Sequence, residues 1–302
     1  MMKKMSKVMS KQRTLKIEAA ALTDRGQRRK LNEDVVLHRT RQTDQGESAG
    51  LYIVCDGLGG CQAGQVASYL AAETVMTELN DTFSRLEELS ESGYPQPSSM
   101  MLQRDIRTAI IKAHAKLRRY AYTHQDIFDL GTTITLTLVY RNLALIANVG
   151  DSRAYLWRSG QMTQITQDHS LAAELARMGL IAESEIANHP RSNVLSQALG
   201  IQDYVSVDLF EWELQPGDKL MLCSDGLWKA FPDSSELAQW LESAAAPDDL
   251  CQQLVAEAIR RDGTDNVSII VVNIDKLSDQ QDRASDADLA ALFHRVDLAV
   301  AI

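Results

Sequence analysis

Five short stretches of the sequence place an acidic side chain at the end of an apolar segment or in a tight turn. They are Asn32-Glu33-Asp34, Asp56-Gly57, Gly150-Asp151, Asp225-Gly226 and Asp265-Asn266. A single Asp-Gly pair is a common turn signal, because Asp bonds its own backbone and Gly adopts conformations that other residues avoid. Several such acids brought together would repel one another unless cations neutralised them. Since hard ions such as Mg²⁺ and Mn²⁺ take oxygen ligands, the pattern indicates a divalent metal site.

The stretch LYIVCDGLGGCQAG at 51–64 also suggests a glycine-rich phosphate loop. A dinucleotide-binding fingerprint requires a third glycine, where this chain has Gln62. A P-loop requires a lysine and then a hydroxyl, where this chain has Gln65 and Val66. Both interpretations fail at the residues that would do the chemistry.

Short strand patterns surround the acids, so an architecture rich in β-structure must position them. Residues 132–140 alternate Ile and Leu with Thr, which predicts a strand with one buried face. Residues 143–157 predict two more strands, broken at Gly150-Asp151, that continue an antiparallel meander. Further strands are predicted at 15–23, 50–56, 205–214, 219–225 and 266–274, and helices at 64–79, 102–120, 171–179, 234–243 and 248–261.

The composition of the 302 residues favours a globular cytoplasmic protein. A formal charge of −10 argues against a general nucleic-acid or anionic-membrane binder, which needs positive surface.

Four cysteines without paired C-x-x-C spacing indicate neither a disulfide framework nor a zinc site. Cys55 and Cys223 lie in apolar runs, which is typical of buried thiols in a reducing compartment. No apolar signal region follows the basic N-terminus, and no stretch is long enough for a membrane span. We expect a monomer.

Eight motifs in order along the chain carry a resemblance to a known family. They are TDRGQRRKLNED (23–34), VCDGLGG (54–60), GTT (131–133), NVGDSRAY (148–155), TQDHS (166–170), NVLSQALG (193–200), GDKLMLCSDGLW (217–228) and DGTDNVSIIVV (262–272). Over residues 16–275 the chain resembles the protein phosphatase 2C family, the metal-dependent serine/threonine protein phosphatases, and particularly its compact bacterial members.

The resemblance implies an α+β fold, a four-layer α-β-β-α sandwich of two antiparallel sheets flanked by helices, with a binuclear metal site at the sheet edge. Residues 15–275 would form the phosphatase catalytic domain, in which the irregular segment 170–200 lies where the family has a variable flap. Residues 1–14 are interpreted as a disordered basic tail. Residues 276–302 are interpreted as a polar linker and an amphipathic helix capped by Ser285.

The metal ligands implied by the resemblance are oxygen donors from four of the acidic stretches. Asp56 would bridge two ions, Mn²⁺ or Mg²⁺, and the carbonyl of Gly57 would bind one of them. Asp225 and Asp265 would hold the other ion. A third, weaker site would use Asp151 together with Asp225.

The remaining catalytic assignments concern the substrate and the protons. The resemblance implies that Arg29 meets the substrate phosphate, and that Glu33 and Asp34 act mainly through water molecules on the metals. Some relatives carry a histidine as the proton donor, where this chain has Leu58 or Cys61. The general acid therefore stays open, and we favour a water molecule.

The implied function is hydrolysis of phosphoserine and phosphothreonine in proteins by a metal-activated water. The implied partners are phosphoprotein substrates and a serine/threonine kinase whose action the enzyme opposes. Two alternatives remain, a catalytically silent phosphoprotein-binding pseudophosphatase and a metal-dependent phosphatase of small molecules. The presence of Asp56, Asp225 and Asp265 favours an active enzyme over the pseudophosphatase.

Overall fold

A computed structural model of the protein describes residues 15–42, 48–58, 63–92, 97–124 and 130–276. The predicted tail at 1–14 and the predicted helix that begins near Ser285 lie outside these residues. Of the helices that the structure describes, none is long and apolar enough to cross a membrane.

The described ranges contain eleven strands and six α-helices. The strands are β1 (Leu15–Asp24), β2 (Asp34–Gln42), β3 (Ser48–Leu58), β4 (Gly131–Thr132), β5 (Ile134–Tyr140), β6 (Leu143–Val149), β7 (Arg153–Arg158), β8 (Gln161–Gln164), β9 (Asp208–Glu213), β10 (Lys219–Cys223) and β11 (Val267–Lys276). The helices are α1 (Ala63–Ser92), α2 (Ser99–Thr123), α3 (Leu171–Arg177), α4 (Asp225–Trp228), α5 (Ser234–Glu242) and α6 (Pro247–Arg261).

The strands form two antiparallel sheets. Sheet I has the order β1-β11-β10-β7-β8, and sheet II has the order β2-β3-β5-β6-β9 with the short β4 paired to the end of β3. Central strands bury both faces, as β11 shows. Ile270 and Val272 point into the core between the sheets, whereas Ile269 and Val271 point to the opposite face. The period of two along a strand sends alternate side chains to opposite faces, so one apolar run supplies two cores.

Three buried clusters separate four layers. Tyr52 and Ile146 of sheet II meet strands of sheet I in the central cluster. The outer face of sheet II packs on α1 and α2, with Ile110 fully buried there. The outer face of sheet I packs on α4, α5 and α6, with Leu254 fully buried. The predicted α-β-β-α sandwich is therefore confirmed.

The expectation of one buried face for β5 is wrong, because all seven of its residues are buried. Thr135 and Thr137 lie on the same face of β5 as Val139, which packs in the core between the sheets. Hydrogen bonds compensate the burial of Thr135, whereas the Thr137 hydroxyl has no hydrogen-bond partner among the described residues. The Thr135 hydroxyl donates to Asn148 Oδ1 at 2.6 Å and lies 2.9 Å from the carbonyl oxygen of Ser152. A hydroxyl that is hydrogen-bonded can be buried at little net cost.

The predicted meander is correct for β5 and β6 but wrong for the next strand. β6 pairs with β5 and β9 in sheet II, whereas β7 pairs with β10 and β8 in sheet I. The chain crosses between the sheets at Gly150, which has a φ of +110°. A Cβ there would lie 2.5 Å from Cγ2 of Thr133, so both the backbone conformation and the space require glycine.

The bounds and the number of the elements also differ from the prediction. Helix α1 continues well past the expected end at residue 79, because Phe83 and Leu86 extend its buried stripe. Strand β2 was not expected, and the Asp225-Gly226 turn opens into the short helix α4. The helix predicted within the 170–200 segment is present as α3.

We expect Gly150→Ala to destabilise the protein by about 2–4 kcal/mol, because it combines an unfavourable φ with a steric clash. Gly160→Ala is the matched control, since Gly160 has a φ of +83° but no atom within 4 Å of the added Cβ. That control should lose about 1 kcal/mol. Urea unfolding of both variants measures the difference, and equal losses would show that the contact with Thr133 is unimportant.

Candidate metal centre

Asp34 and Asp56 lie directly opposite each other on β2 and β3, at one end of sheet II. Thr133 fixes the Asp56 backbone from both sides. The Asp56 amide donates to Thr133 Oγ1 at 3.0 Å, and the Thr133 amide donates to the Asp56 carbonyl at 2.8 Å. The strand pairing therefore places two carboxylates side by side where β3 leaves the core.

Asp225 and Asp265 lie at the corresponding end of sheet I. Asp225 follows β10 as the first residue of α4, and Asp265 precedes β11, the neighbouring strand. Gly226 lets these two turns touch, because a Cβ at this position would lie 2.0 Å from the carbonyl oxygen of Asn266. The glycine after the acid therefore serves close backbone contact between the two turns.

Ser268 joins the two sheets at this edge. Its amide donates to Ser224 Oγ at 3.0 Å within sheet I. Its hydroxyl lies 2.7 Å from Oδ2 of Asp34, which belongs to sheet II. A carboxylate of one sheet is thus held by a hydroxyl of the other.

Asn266 fastens the loop that carries the predicted phosphate-binding arginine. Its Nδ2 donates to the carbonyls of Arg25 and Leu31 at 2.8 and 3.0 Å, and its Oδ1 accepts from the Glu33 amide at 2.8 Å. Since one buried side chain satisfies three backbone groups of residues 25–33, it sets the position of Arg29 and Glu33 relative to β11.

Burial and mutual repulsion raise the pKa values of the clustered carboxyl groups. Burial is the largest cause for Asp56, whose pKa lies well above its usual range, and Asp34, Asp225, Asp151 and Asp265 add to the shift. Burial, with contributions from Asp225 and Asp265, raises the pKa of Asp34 to about 7. Burial and Asp225 raise the pKa of Asp151 to about 8. These five acids therefore lie close enough for their charges to affect one another's ionisation.

Two basic side chains contact the acids. Arg29 Nη2 lies 2.7 Å from Asp265 Oδ2, and Arg29 Nη1 lies 4.0 Å from Glu33 Oε2. Lys229 Nζ lies 2.5 Å from Asp225 Oδ2. Burial by itself lowers the pKa of Lys229, but the nearby carboxylates outweigh it and raise that pKa.

The residues of this edge fit a divalent ion by their chemistry. Oδ1 of Asp34 and Oδ1 of Asp225 are buried and have no hydrogen-bond partner among the described residues. Unpartnered buried carboxylate oxygens are costly unless they coordinate a cation. Within the described ranges, no three His, Cys, Asp or Glu side chains already converge as a metal-binding group. Their oxygens are turned instead toward Ser268, Arg29 and Lys229.

The backbone at Gly57 is tightly enclosed. A Cβ on Gly57 would lie 2.2 Å from the Gly64 carbonyl oxygen and 2.6 Å from the Glu33 carbonyl oxygen. The Gly57 amide donates to the Glu33 carbonyl at 3.2 Å. Glycine therefore allows β3 and the start of α1 to approach the loop before β2, beside Asp56.

The structure brings the residues of the sequence-based hypothesis to one edge of the sandwich. They are Arg29, Glu33, Asp34, Asp56, Gly57, Asp151, Asp225 and Asp265. Leu58 ends β3 opposite Gly131, and Cys61 lies outside the described residues.

Sequence reasoning missed the residues that hold these groups in place. They are Thr133, Asn266, Ser268 and Lys229. The first three lie inside the motifs GTT and DGTDNVSIIVV, so their polar side chains within apolar strands were a usable signal. Lys229 lies four positions after Asp225, a spacing that brings two side chains together in a helix, but a turn was expected at Asp225-Gly226 instead of a helix.

Comparison with known proteins identifies relatives of this chain. A family model for protein phosphatase 2C matches residues 24–257. The serine/threonine phosphatase Stp of Listeria monocytogenes is 33% identical over 253 residues, which cover 84% of this chain and 94% of that protein.

Solved structures agree with these relatives. Serine/threonine phosphatase Stp1 from Staphylococcus aureus is 33% identical with a TM-score of 0.72, over 86% of this chain and 96% of that one. The catalytic domain of the serine/threonine protein phosphatase PstP, solved in complex with two manganese ions, is 29% identical with a TM-score of 0.71. That match covers 87% of this chain and 100% of the other.

Asp56→Asn should stabilise the metal-free protein, because it removes one charge from a group of repelling carboxylates. In EDTA at neutral pH we expect the free energy of unfolding to rise by about 1–2 kcal/mol. The folded-state pKa of Asp56 is raised, so the gain should disappear as the pH falls toward about 4, where protonation relieves the same repulsion in the unmodified protein. In Mn²⁺ the order of stability should reverse.

Asp81→Asn, on the exposed side of α1, is the control and should change stability by less than about 0.5 kcal/mol. Urea unfolding with and without EDTA measures both variants. A loss of stability for Asp56→Asn in EDTA at every pH would contradict the electrostatic account.

Proposed function

The chain belongs to the protein phosphatase 2C family, and we infer that it is a serine/threonine protein phosphatase that depends on divalent metal ions. Its substrates are phosphoproteins. This inference rests on one observation: acids from both sheets lie close together beside Arg29, at one edge of the sandwich. That edge offers oxygen ligands for cations and a guanidinium group for a phosphate.

We propose that two ions, Mn²⁺ or Mg²⁺, bind at this edge. Asp56 would contact both, the Gly57 carbonyl one, and Asp225 with Asp265 the other. Asp151 together with Asp225 would form a third, weaker site. Two bound divalent ions lower the pKa of a coordinated water and neutralise charge on a phosphoryl group. The unpartnered oxygen of Asp225 and the shared repulsion of these acids support the assignment.

Arg29 is the proposed phosphate-binding residue. Its side chain is 40% exposed, so an incoming phosphomonoester can reach the guanidinium group. A guanidinium group binds two phosphate oxygens through parallel N–H groups, and this positions the phosphorus for in-line attack. Asp265 and Glu33 orient the same guanidinium before substrate arrives.

Glu33 and Asp34 are the proposed residues for orienting water. Both are buried beside Asp56, with exposures of 5% and 6%. Asp34 accepts from Ser268 through Oδ2, and its Oδ1 is buried without a hydrogen-bond partner among the described residues, so it is available to a water molecule. Leu58 cannot donate a proton, so we assign the protonation of the leaving alkoxide to water.

We propose that the enzyme opposes a serine/threonine protein kinase and works as a monomer in the cytoplasm. The described free cysteines Cys55, Cys223 and Cys251 are all buried, which suits a reducing compartment. The acidic net charge supports neither nucleic acid nor an anionic membrane as a partner. The apolar helix faces that meet the two sheets are buried within the chain, which supports a monomer.

Hydrolysis of a phosphothreonine peptide should require added Mn²⁺ or Mg²⁺ and stop in EDTA. Asp225→Asn should lower kcat by at least about a hundredfold, because it removes a charged ligand from the metal centre. Phosphate release measures both effects. Undiminished turnover in EDTA would contradict metal dependence, and turnover of small phosphate esters without turnover of the peptide would contradict protein dephosphorylation.

Arg29→Ala should lower kcat/KM for the peptide roughly tenfold to a hundredfold, because it removes a hydrogen bond to the charged phosphate and such a loss has an effect of this size. The neighbouring Arg28 is exposed, so Arg28→Ala is the matched control and should keep near-normal kinetics. Equal losses in the two variants would indicate a general effect of positive charge instead of a specific contact by Arg29.

A further inference from the structure

Lys229 places a positive charge inside the acidic edge. Its Nζ lies 2.5 Å from Asp225 Oδ2 and 2.5 Å from Asn193 Oδ1, and 5.3 Å from the centre of the Trp228 ring. The Lys229 amide donates to the Asp225 carbonyl at 2.9 Å, so one helical turn returns the side chain over Asp225. The side chain of Lys229 is only 19% exposed, so it is largely enclosed by the residues of the site.

The lysine shares its acidic surroundings with the proposed third metal site. Asp225 and Asp151 both attract the ammonium group, and Asp56 adds to the attraction. A divalent ion held by Asp225 and Asp151 would lie close to that group and repel it. Binding of such an ion would therefore disfavour the ammonium group in this position.

Lys229 also holds the 170–200 segment. Close to its ends, a backbone hydrogen bond joins Leu171 to Val194 within the segment, and others join Ser196 to His169 and Leu199 to Thr132 outside it. Among the described residues, the Lys229–Asn193 contact is the one side-chain hydrogen bond between residues 178–193 and the rest of the chain.

We propose that the Lys229 ammonium group and an additional divalent cation compete for the Asp151–Asp225 pair. A cation that displaces the lysine would break its contact with Asn193 and so release residues 178–193 from the edge of the sandwich that carries the acids. This inference rests on the proposed metal-dependent function. Lys229 is a positioning residue, because it acts on the segment and on Asp225 and not on the substrate. Metal concentration would then control how firmly the segment is held beside the active site.

Lys229→Met tests the competition, because it keeps the apolar stem and removes the charge. Equilibrium dialysis with elemental analysis measures Mn²⁺ binding beyond the two tightest sites. We expect the variant to bind the additional ion about tenfold more tightly, a usual size for coupled sites. Lys112→Met is the matched control, since Lys112 also pairs with an acid, Glu78 at 2.7 Å, but joins α2 to α1. Unchanged affinity in Lys229→Met would overturn the proposal.

Tryptic cleavage after Arg191, followed by mass spectrometry, reports on the segment independently of catalysis. Cleavage of the unmodified protein should accelerate several-fold as Mn²⁺ fills the additional site. Lys229→Met should be cleaved rapidly at every Mn²⁺ concentration. Asn193→Ala should behave in the same way, and because Asn193 is exposed this variant keeps the core intact.

Cleavage that responds neither to Mn²⁺ nor to these substitutions would overturn the coupling. Failure of the proposed function is separately visible, because it would appear as absent Mn²⁺-dependent peptide hydrolysis in the unmodified protein.

Discussion

The architecture depends on keeping several buried carboxylates closer together than their charges favour. Asp56 is the clearest case, because burial and four neighbouring acids all oppose its ionisation. Such a cluster persists only when a rigid frame holds its members and cations or hydrogen-bond donors compensate them. The repulsion that makes the edge unstable by itself also gives it affinity for divalent ions.

The two sheets supply that frame, and neither sheet forms the site alone. Asp34 and Asp56 come from sheet II, whereas Asp225 and Asp265 come from sheet I. Turns have few backbone hydrogen bonds of their own, and hydrogen bonds between side chains such as Asn266 and Thr133 and the backbone hold them in place. Close backbone contacts at glycines then bring the turns of different strands together. Phosphoryl transfer suits such a site, because it depends mainly on positioning and electrostatics.

The acids and the layered fold could be predicted from the sequence, because both leave local signals in the strand ends and ordered motifs. The sequence did not indicate which distant groups the buried polar side chains would contact. The threonines of β5 indicated a solvent-facing side, but both are buried, and the Thr135 hydroxyl bonds within the core. A hairpin and a crossing between sheets look alike in the sequence around Gly150, because the contact of Gly150 with Thr133 joins positions that are distant along the chain. Lys229 was missed because its partner Asn193 lies 36 positions away.

We propose that acids of both sheets together hold the divalent ions. Anomalous diffraction at the manganese edge, from crystals grown with Mn²⁺, locates the ions relative to these acids. We expect two strong peaks that share Asp56, one beside the Gly57 carbonyl and the other between Asp225 and Asp265. Peaks that avoid Asp56, or an edge without manganese at saturating concentration, would contradict the account.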